Sequence, residues 1–315
     1  MADYAWRKLL QLIPTVIGVV TLVFLAMRMI PGNATGFMAG DNLSGDALAA
    51  MTERLGLGIP MWQQYVNYVT GLLRFDLGTT IVTGLPVSQL ILEALPITVM
   101  VAVLTVLISC VIAVTIGTIA AYLANKGKKW FDQLITWLTM LVDLMPSFWM
   151  ALLLMLTFTL TLGWFPASGT INFSDPGQML QRIALPLMVL CAGQIAMIAR
   201  ITRTAVLEVL GEDYIRTARA FGLPQLRVVF RHALKNAAMP VITVAGLAFG
   251  NLLNGTIITE FIFSIPGIGT LLINGINSRD YTLVQSVILV YAFLFILVNM
   301  LTDFIYKYID PRVRL

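Results

Sequence analysis

Residues 97–124 read ITVMVAVLTVLISCVIAVTIGTIAAYLA, with no charged side chain anywhere in the stretch. A hydrocarbon core about 30 Å thick is crossed by roughly 20 helical residues, so this segment is long enough to span a bilayer as one helix. Inside lipid every backbone amide must be satisfied internally. An unbroken apolar run without period-two alternation meets that demand as a helix. The rest of the chain has the same character: of its 315 residues 58% are hydrophobic and only 11% charged, far from a soluble globular domain.

Five further apolar runs flank the first, at 9–30, 134–162, 183–201, 238–263 and 285–306. The fold class is therefore all-α integral membrane with six transmembrane helices. The run at 9–30 follows Arg7 and Lys8 as a secretory signal would. It is too long for such a signal's apolar core, however, and continues into Arg28-Met-Ile-Pro31-Gly32 without a small-residue cleavage site. The run at 134–162 contains Pro146, whose missing amide hydrogen predicts a tilt or kink.

Basic residues resist translocation, so their distribution orients the spans. Arg7, Lys8, Lys126, Lys128, Lys129, the seven from Arg200 to Lys235, Lys307, Arg312 and Arg314 put 15 of the 20 Lys and Arg on one side. Both termini are predicted to be cytoplasmic in a multi-pass protein. The net charge of +4 thus reads as topology, and no nucleic-acid partner is expected. Three regions follow: residues 1–30 with the first helix, a long extracytoplasmic segment at 31–96, and a five-helix core at 97–315. Within the long segment, Trp62, Tyr65, Tyr68, Val69 and Leu72 recur at mostly three- and four-residue spacing. They predict an amphipathic helix over 60–75, suited to the bilayer interface, to capping the spans, or to packing within its own segment.

The loop at 202–237 leaves the membrane yet keeps a helical pattern. Gly211 closes the preceding helix, Glu212 and Asp213 suit the positive end of a new one, and Gly222 followed by Pro224 ends it. On this helix of about three turns, Tyr214, Ile215, Ala218 and Phe221 share one side, while Glu212 and Arg216 make a four-residue ion-pair spacing. Such an element can rest on lipid, pack on its own chain, or insert into a partner's groove.

Tyr214-Ile-Arg-Thr-Ala-Arg-Ala-Phe-Gly222-Leu, followed by His232-Ala-Leu-Lys-Asn236-Ala-Ala-Met-Pro240, resembles the coupling loop of ABC-importer permeases of the dipeptide, oligopeptide and nickel class. The general permease pattern has Glu-Ala-Ala where this chain has Arg216, Thr217 and Ala218; here it agrees with the peptide subgroup. Met29-Ile-Pro31-Gly32, Met38-Ala-Gly40, residues 55–65, Asp76-Leu-Gly78, Phe263-Ser-Ile-Pro266-Gly-Ile-Gly269, Arg279-Asp280-Tyr281 and Asp310-Pro311-Arg312 extend the likeness along the chain. Asn33 stands where these permeases more often have Asp, and Thr282 where they often have Pro.

The resemblance implies a type I importer permease fold in a bacterial inner membrane. It implies a second homologous permease, two cytoplasmic ATPases and an extracytoplasmic substrate-binding protein as partners. Glu212, Asp213, Tyr214, Ile215, Arg216, Ala218, Arg219, Phe221 and Gly222 would form the ATPase-coupling element. ATP and Mg would sit on the ATPases, with no cofactor in this chain. Peptides, nickel chelates, glutathione and opines all fit that class as solutes, and a self-sufficient secondary transporter is the competing function.

Ordinary chemistry narrows the rest. No Gly-x-x-x-x-Gly-Lys-Ser/Thr phosphate loop occurs, so nucleotide binding is expected elsewhere. His232 is the single histidine and stands among Arg227, Arg231 and Lys235; Cys110 and Cys191 sit in apolar runs. Neither suggests a metal or catalytic site. Charged groups within spans are costly, which singles out Asp143, Glu260 and Asp303: the last two sit nearer span ends and are expected at the interface, while Asp143, closest to mid-span, is either a group on the solute path or half of a structural pair. Gln194, Asn251, Asn254 and Asn299 could line the same path or hydrogen-bond between helices.

Overall fold

A computed structural model describes residues 2–29, 58–166, 169, 171 and 173–309. Helix α1 covers Ala2–Met29, α2 Met61–Leu73, α3 Val87–Asn125 and α4 Lys129–Leu144. Helix α5, Ser147–Leu154, runs on as a π-helix over Met155–Thr161. Next come α6 at Pro176–Leu210 and α7 at Asp213–Ala220. A turn at Gln225–Arg227 and a π-helix at Val228–Ala233 lead into α8, Leu234–Ile262. Helices α9, Ile268–Asn277, and α10, Tyr281–Ile309, complete the described chain. Among the described residues, five helical stretches are long and apolar enough to cross a membrane, and α4 with α5 makes a sixth if the bent pair counts as one span.

Two spans differ from the pattern expected of them. Helix α3 begins at Val87, well before the apolar run, and passes through Pro96. A proline interrupts the backbone ladder at one point, and a long membrane helix tolerates the loss when neighbours re-satisfy the freed carbonyl. At Pro146 the opposite happens. Met145 is extended, with ψ 121°, and α4 and α5 lie at 99° to each other. A residue before proline is pushed out of the α region, so the expected kink becomes a break, and Pro146 starts α5 afresh.

The chain forms two compact units, residues 1–97 with 266–297, and residues 98–265 with 298–315. In the first, the amphipathic helix α2 packs on α1. Phe24, 1% exposed, meets Tyr65 edge-on at 5.2 Å and stacks on Tyr68 at 5.8 Å. Tyr65 and Thr21 share a hydroxyl hydrogen bond of 2.7 Å. Arg28 lies over the Phe24 ring at 4.4 Å and donates to Gln64 Oε1 and Gln285 Oε1. Trp62, Val66 and Leu73 remain exposed on α2. Residues 31–57 of the expected extracytoplasmic segment, including Asn33 and Met38-Ala-Gly40, lie outside the described residues, as does Ile30.

The same unit explains the Arg279-Asp280-Tyr281 motif. Asp280, 1% exposed, accepts from Leu283 N at 3.0 Å, capping α10, and from Ile81 N at 2.8 Å. Ser286 Oγ donates to Leu77 O one turn further on. One buried carboxylate therefore starts a span and fastens the segment that leads into α3.

In the second unit α6 is central, packing against α4, α5 and α8. Its approach to α3 is close at Gly117, where a Cβ would fall 2.5 Å from Ala199 O and 2.7 Å from Thr202 Cβ. Elsewhere large apolar side chains face outward, among them Leu107, Val111, Trp137, Leu141, Leu156 and Leu160. Such surface is unfavourable in water and suits lipid or a protein neighbour.

Candidate functional site

Helix α6 ends where Gly211 N and Glu212 N donate to Glu208 O and Val209 O. The chain turns at Glu212, extended with ψ 149°, whose carbonyl accepts from Ile215 N and Arg216 N to start α7. At the other end Leu223 N reaches back to Ala218 O, and Gly222 N to Arg219 O, with Gly222 at φ +77°. This is a Schellman-type stop that needs a residue tolerant of the left-handed region. Pro224 then begins the next helical segment, its carbonyl accepting from Val228 N. The element expected over three turns is two turns long.

The face expected to be apolar is divided. Ile215 is 0% exposed, and packs with Ala121 of α3, Val206 and Leu210 of α6, and Val228 and Val229. Ala218 and Leu223 lean on the same cluster. Full burial of a side chain this size contributes about 1.5 to 3 kcal/mol, so Ile215 acts as the footing of α7 on its own chain. Phe221, 83% exposed, and Tyr214, 43% exposed, face outward. Asn236 Nδ2 donates to the Tyr214 hydroxyl at 2.6 Å, tying α7 to the start of α8.

The charges are also rearranged. Arg216 pairs with Asp213 at 3.3 Å, three residues back, and not with Glu212 as the four-residue spacing predicts. Glu212 stands before the helix with an extended backbone, outside the helical repeat that a four-residue pairing needs. Both members of the observed pair are highly exposed, so the pair contributes little to stability and leaves its charges available. Arg219 is half-buried, and among the described residues its Nε and Nη2 have no hydrogen-bond partner. Leu226 and Phe230, not singled out from the sequence, are exposed apolar residues just beyond α7. Their presence in a loop otherwise rich in basic residues was the available signal.

Two ion pairs join α4 to α6. Arg203 holds Asp132 with both Nε and Nη2, the latter at 2.6 Å from Oδ2, and Asp132 is largely buried. Arg200 Nη2 holds Asp143 Oδ2 through a single bond of 2.7 Å.

Comparison with known proteins agrees with this architecture. Residues 113–315 match the model of the binding-protein-dependent transport system inner membrane component family, and residues 1–102 match the model of its N-terminal region. The chain belongs to the binding-protein-dependent transport system inner membrane component family. This permease is 41% identical over 335 aligned residues to the dipeptide transport system permease protein of Alkalihalophilus pseudofirmus, covering 100% of both chains. It is 40% identical to a putative peptide transport system permease protein of Brucella abortus, over 98% of each chain. With the dipeptide transport system permease protein of Escherichia coli it shares 37% identity, over 100% of this chain and 99% of that one.

The remaining polar residues of the permease are placed unevenly. Gln194 lies half-buried on α6, and among the described residues its Oε1 is a buried acceptor without a donor. Asn251 and Asn254 are in α8, but their side chains lie outside the described residues. Asp132, Arg200 and Arg203 of the permease were not singled out as site residues. Each reads locally as an ordinary flank of an apolar run, and only the fold brings the partners together.

Proposed function

We propose that this permease is one of two such subunits in an ATP-driven importer that moves short peptides into the cytoplasm. The observation that carries the reading is the end-to-end likeness to the dipeptide permeases. It works with a second homologous permease, two cytoplasmic ATPases that hold ATP and Mg, and an extracytoplasmic binding protein that delivers the solute. Both termini face the cytoplasm of a bacterial cell, in keeping with the one-sided distribution of Lys and Arg.

In this reading α7 seats in a cleft of one ATPase. Tyr214 and Phe221 supply the apolar contact, with Asp213, Arg216 and Arg219 as charged partners and Glu212 and Gly222 setting the ends. Ile215 and Ala218 transmit force inward, because they are packed into the cluster shared by α3, α6 and the start of α8. ATP-driven closure of the ATPases then shifts an equilibrium between inward- and outward-facing states through different contacts in each. Asp143, Gln194, Asn251 and Asn254 are the proposed polar groups of the path.

Purification of the permease from cells expressing the neighbouring transport genes tests this. ATPase chains should co-purify, and the complex in liposomes should import labelled dipeptide only with ATP and a binding protein. Dipeptide flux through the permease alone would refute the reading.

A further inference from the structure

Helix α6 is the most enclosed of the described spans. From Gly193 to Glu208 it shows the surface one stripe: Gly193, Met197, Thr204 and Glu208 are exposed, with half-exposed Arg200 between them. The spacings of four, three, four and four residues keep these positions on one side of a helix. A stripe facing lipid would be large and apolar throughout. This one carries a glycine with nothing within 4 Å of the Cβ it lacks, a threonine, an arginine and a glutamate. Thr204 and Glu208 lie beyond residue 201, where the chain leaves the apolar run, so their polarity follows from position; within the run Arg200 is the charged member, costly against lipid unless it reaches water or a polar partner.

Asp143 reaches this stripe from α4. It lies in that helix's last turn, where the dipole disfavours a carboxylate, so local helix stability does not explain it. Its pairing with Arg200 leaves Arg200 35% and Asp143 41% exposed and rests on one hydrogen bond. The neighbouring Asp132 and Arg203 pair makes two bonds, and its carboxylate is much less exposed, though Arg203 itself is nearly as exposed as Arg200. One carboxylate is enclosed and doubly bonded; the other is accessible and held at a single point.

We propose that Asp143 and Arg200 form an exchangeable ion pair that selects zwitterionic solutes. This rests on the peptide-importer reading given above. The pair opens, Asp143 accepts hydrogen bonds from the solute's ammonium, and Arg200 donates to its carboxylate; it closes again once the solute has passed. No proton is transferred. A solute lacking either terminal charge leaves one member without a partner in a partly enclosed site, which is unfavourable. The exchange therefore favours free peptides over blocked ones at the permease itself, independently of the binding protein.

The test uses the complete importer in lipid nanodiscs carrying Asp143→Cys or Arg200→Cys, with the wild-type complex giving the background from Cys110 and Cys191. A charged, water-soluble methanethiosulfonate should label both introduced thiols above that background. A saturating dipeptide, held by the charge-assisted contact to the remaining member of the pair, should cover the thiol and slow labelling roughly tenfold, and its N-acetyl amide, which carries neither terminal charge, should not. Labelling no faster than background overturns the inference, as does equal or absent protection by the two peptides.

Wild-type uptake of the same dipeptide separates the possible failures. If that uptake is missing, the peptide reading falls and the inference with it; if it is present, unprotected thiols overturn the inference alone. A second variant does not depend on the cysteine forms assembling. Arg200→Gln should raise the KM for dipeptide about tenfold with kcat within about twofold, whereas a fall in kcat alone would contradict a selecting role.

Discussion

Asn236 donates its side-chain amide to the hydroxyl of Tyr214 at 2.6 Å, so the first turn of α7 is strapped to the first turn of α8. With Ile215 buried beneath, α7 is held at two points by its own chain and presents Tyr214 and Phe221 outward. A helix of two turns has little stability alone, and this attachment keeps its position defined.

Removing the strap should loosen coupling before it harms assembly. Asn236→Ala deletes one neutral hydrogen bond at an exposed site, a loss of about 1 kcal/mol. The ATP hydrolysed per peptide imported should rise, while the complex purifies intact and its thermal midpoint moves little. An unchanged ratio would show that the bond has no part in positioning α7.

Gly117→Ala is predicted to be damaging despite adding only a methyl group. The new Cβ would fall 2.5 Å from the carbonyl oxygen of Ala199, so α3 and α6 must separate. Overpacking of this kind costs about 1 to 3 kcal/mol. Thermal unfolding of the purified permease in detergent should show a lowered midpoint. Alanine at Gly193, which has open space, should leave the midpoint unchanged.

How far could the sequence alone lead to this picture? The apolar runs and an interruption at Pro146 are local properties, readable because lipid demands length and because proline disturbs a helix, but the sequence led to a kink where the structure has a full break. The starts of helices were less legible. Val87 precedes a proline that usually marks a boundary, and only the long helix around it shows that Pro96 is accommodated. The inward turn of Ile215 was hidden for another reason. An apolar stripe says that something covers it, and here the cover is Val228 and Val229, which arrive after a glycine and a proline. Asp143 and Arg200 are 57 positions apart, so their pairing belongs to the crossing of α4 and α6 and to no local signal.

Asp280 should behave as a clamp. Asp280→Ala removes the acceptor for Leu283 N and Ile81 N together, costing about 1 to 2 kcal/mol as a lost helix cap and freeing residues 76–86. Limited proteolysis of the purified permease should then cut within that segment faster than in wild type. Asp280→Asn, which keeps a capping oxygen, should be closer to wild type. Equal protection in all three would contradict the clamp.

Photocross-linking from Phe221 reports whether α7 seats on an ATPase. A benzophenone amino acid replacing Phe221 in the intact importer should give an adduct with the ATPase chain, and ATP should change its yield. The same group at Leu107, exposed on α3, serves as the control and should give none. Adducts from position 221 only with lipid or with other permease chains, in a complex that still hydrolyses ATP, would contradict the account.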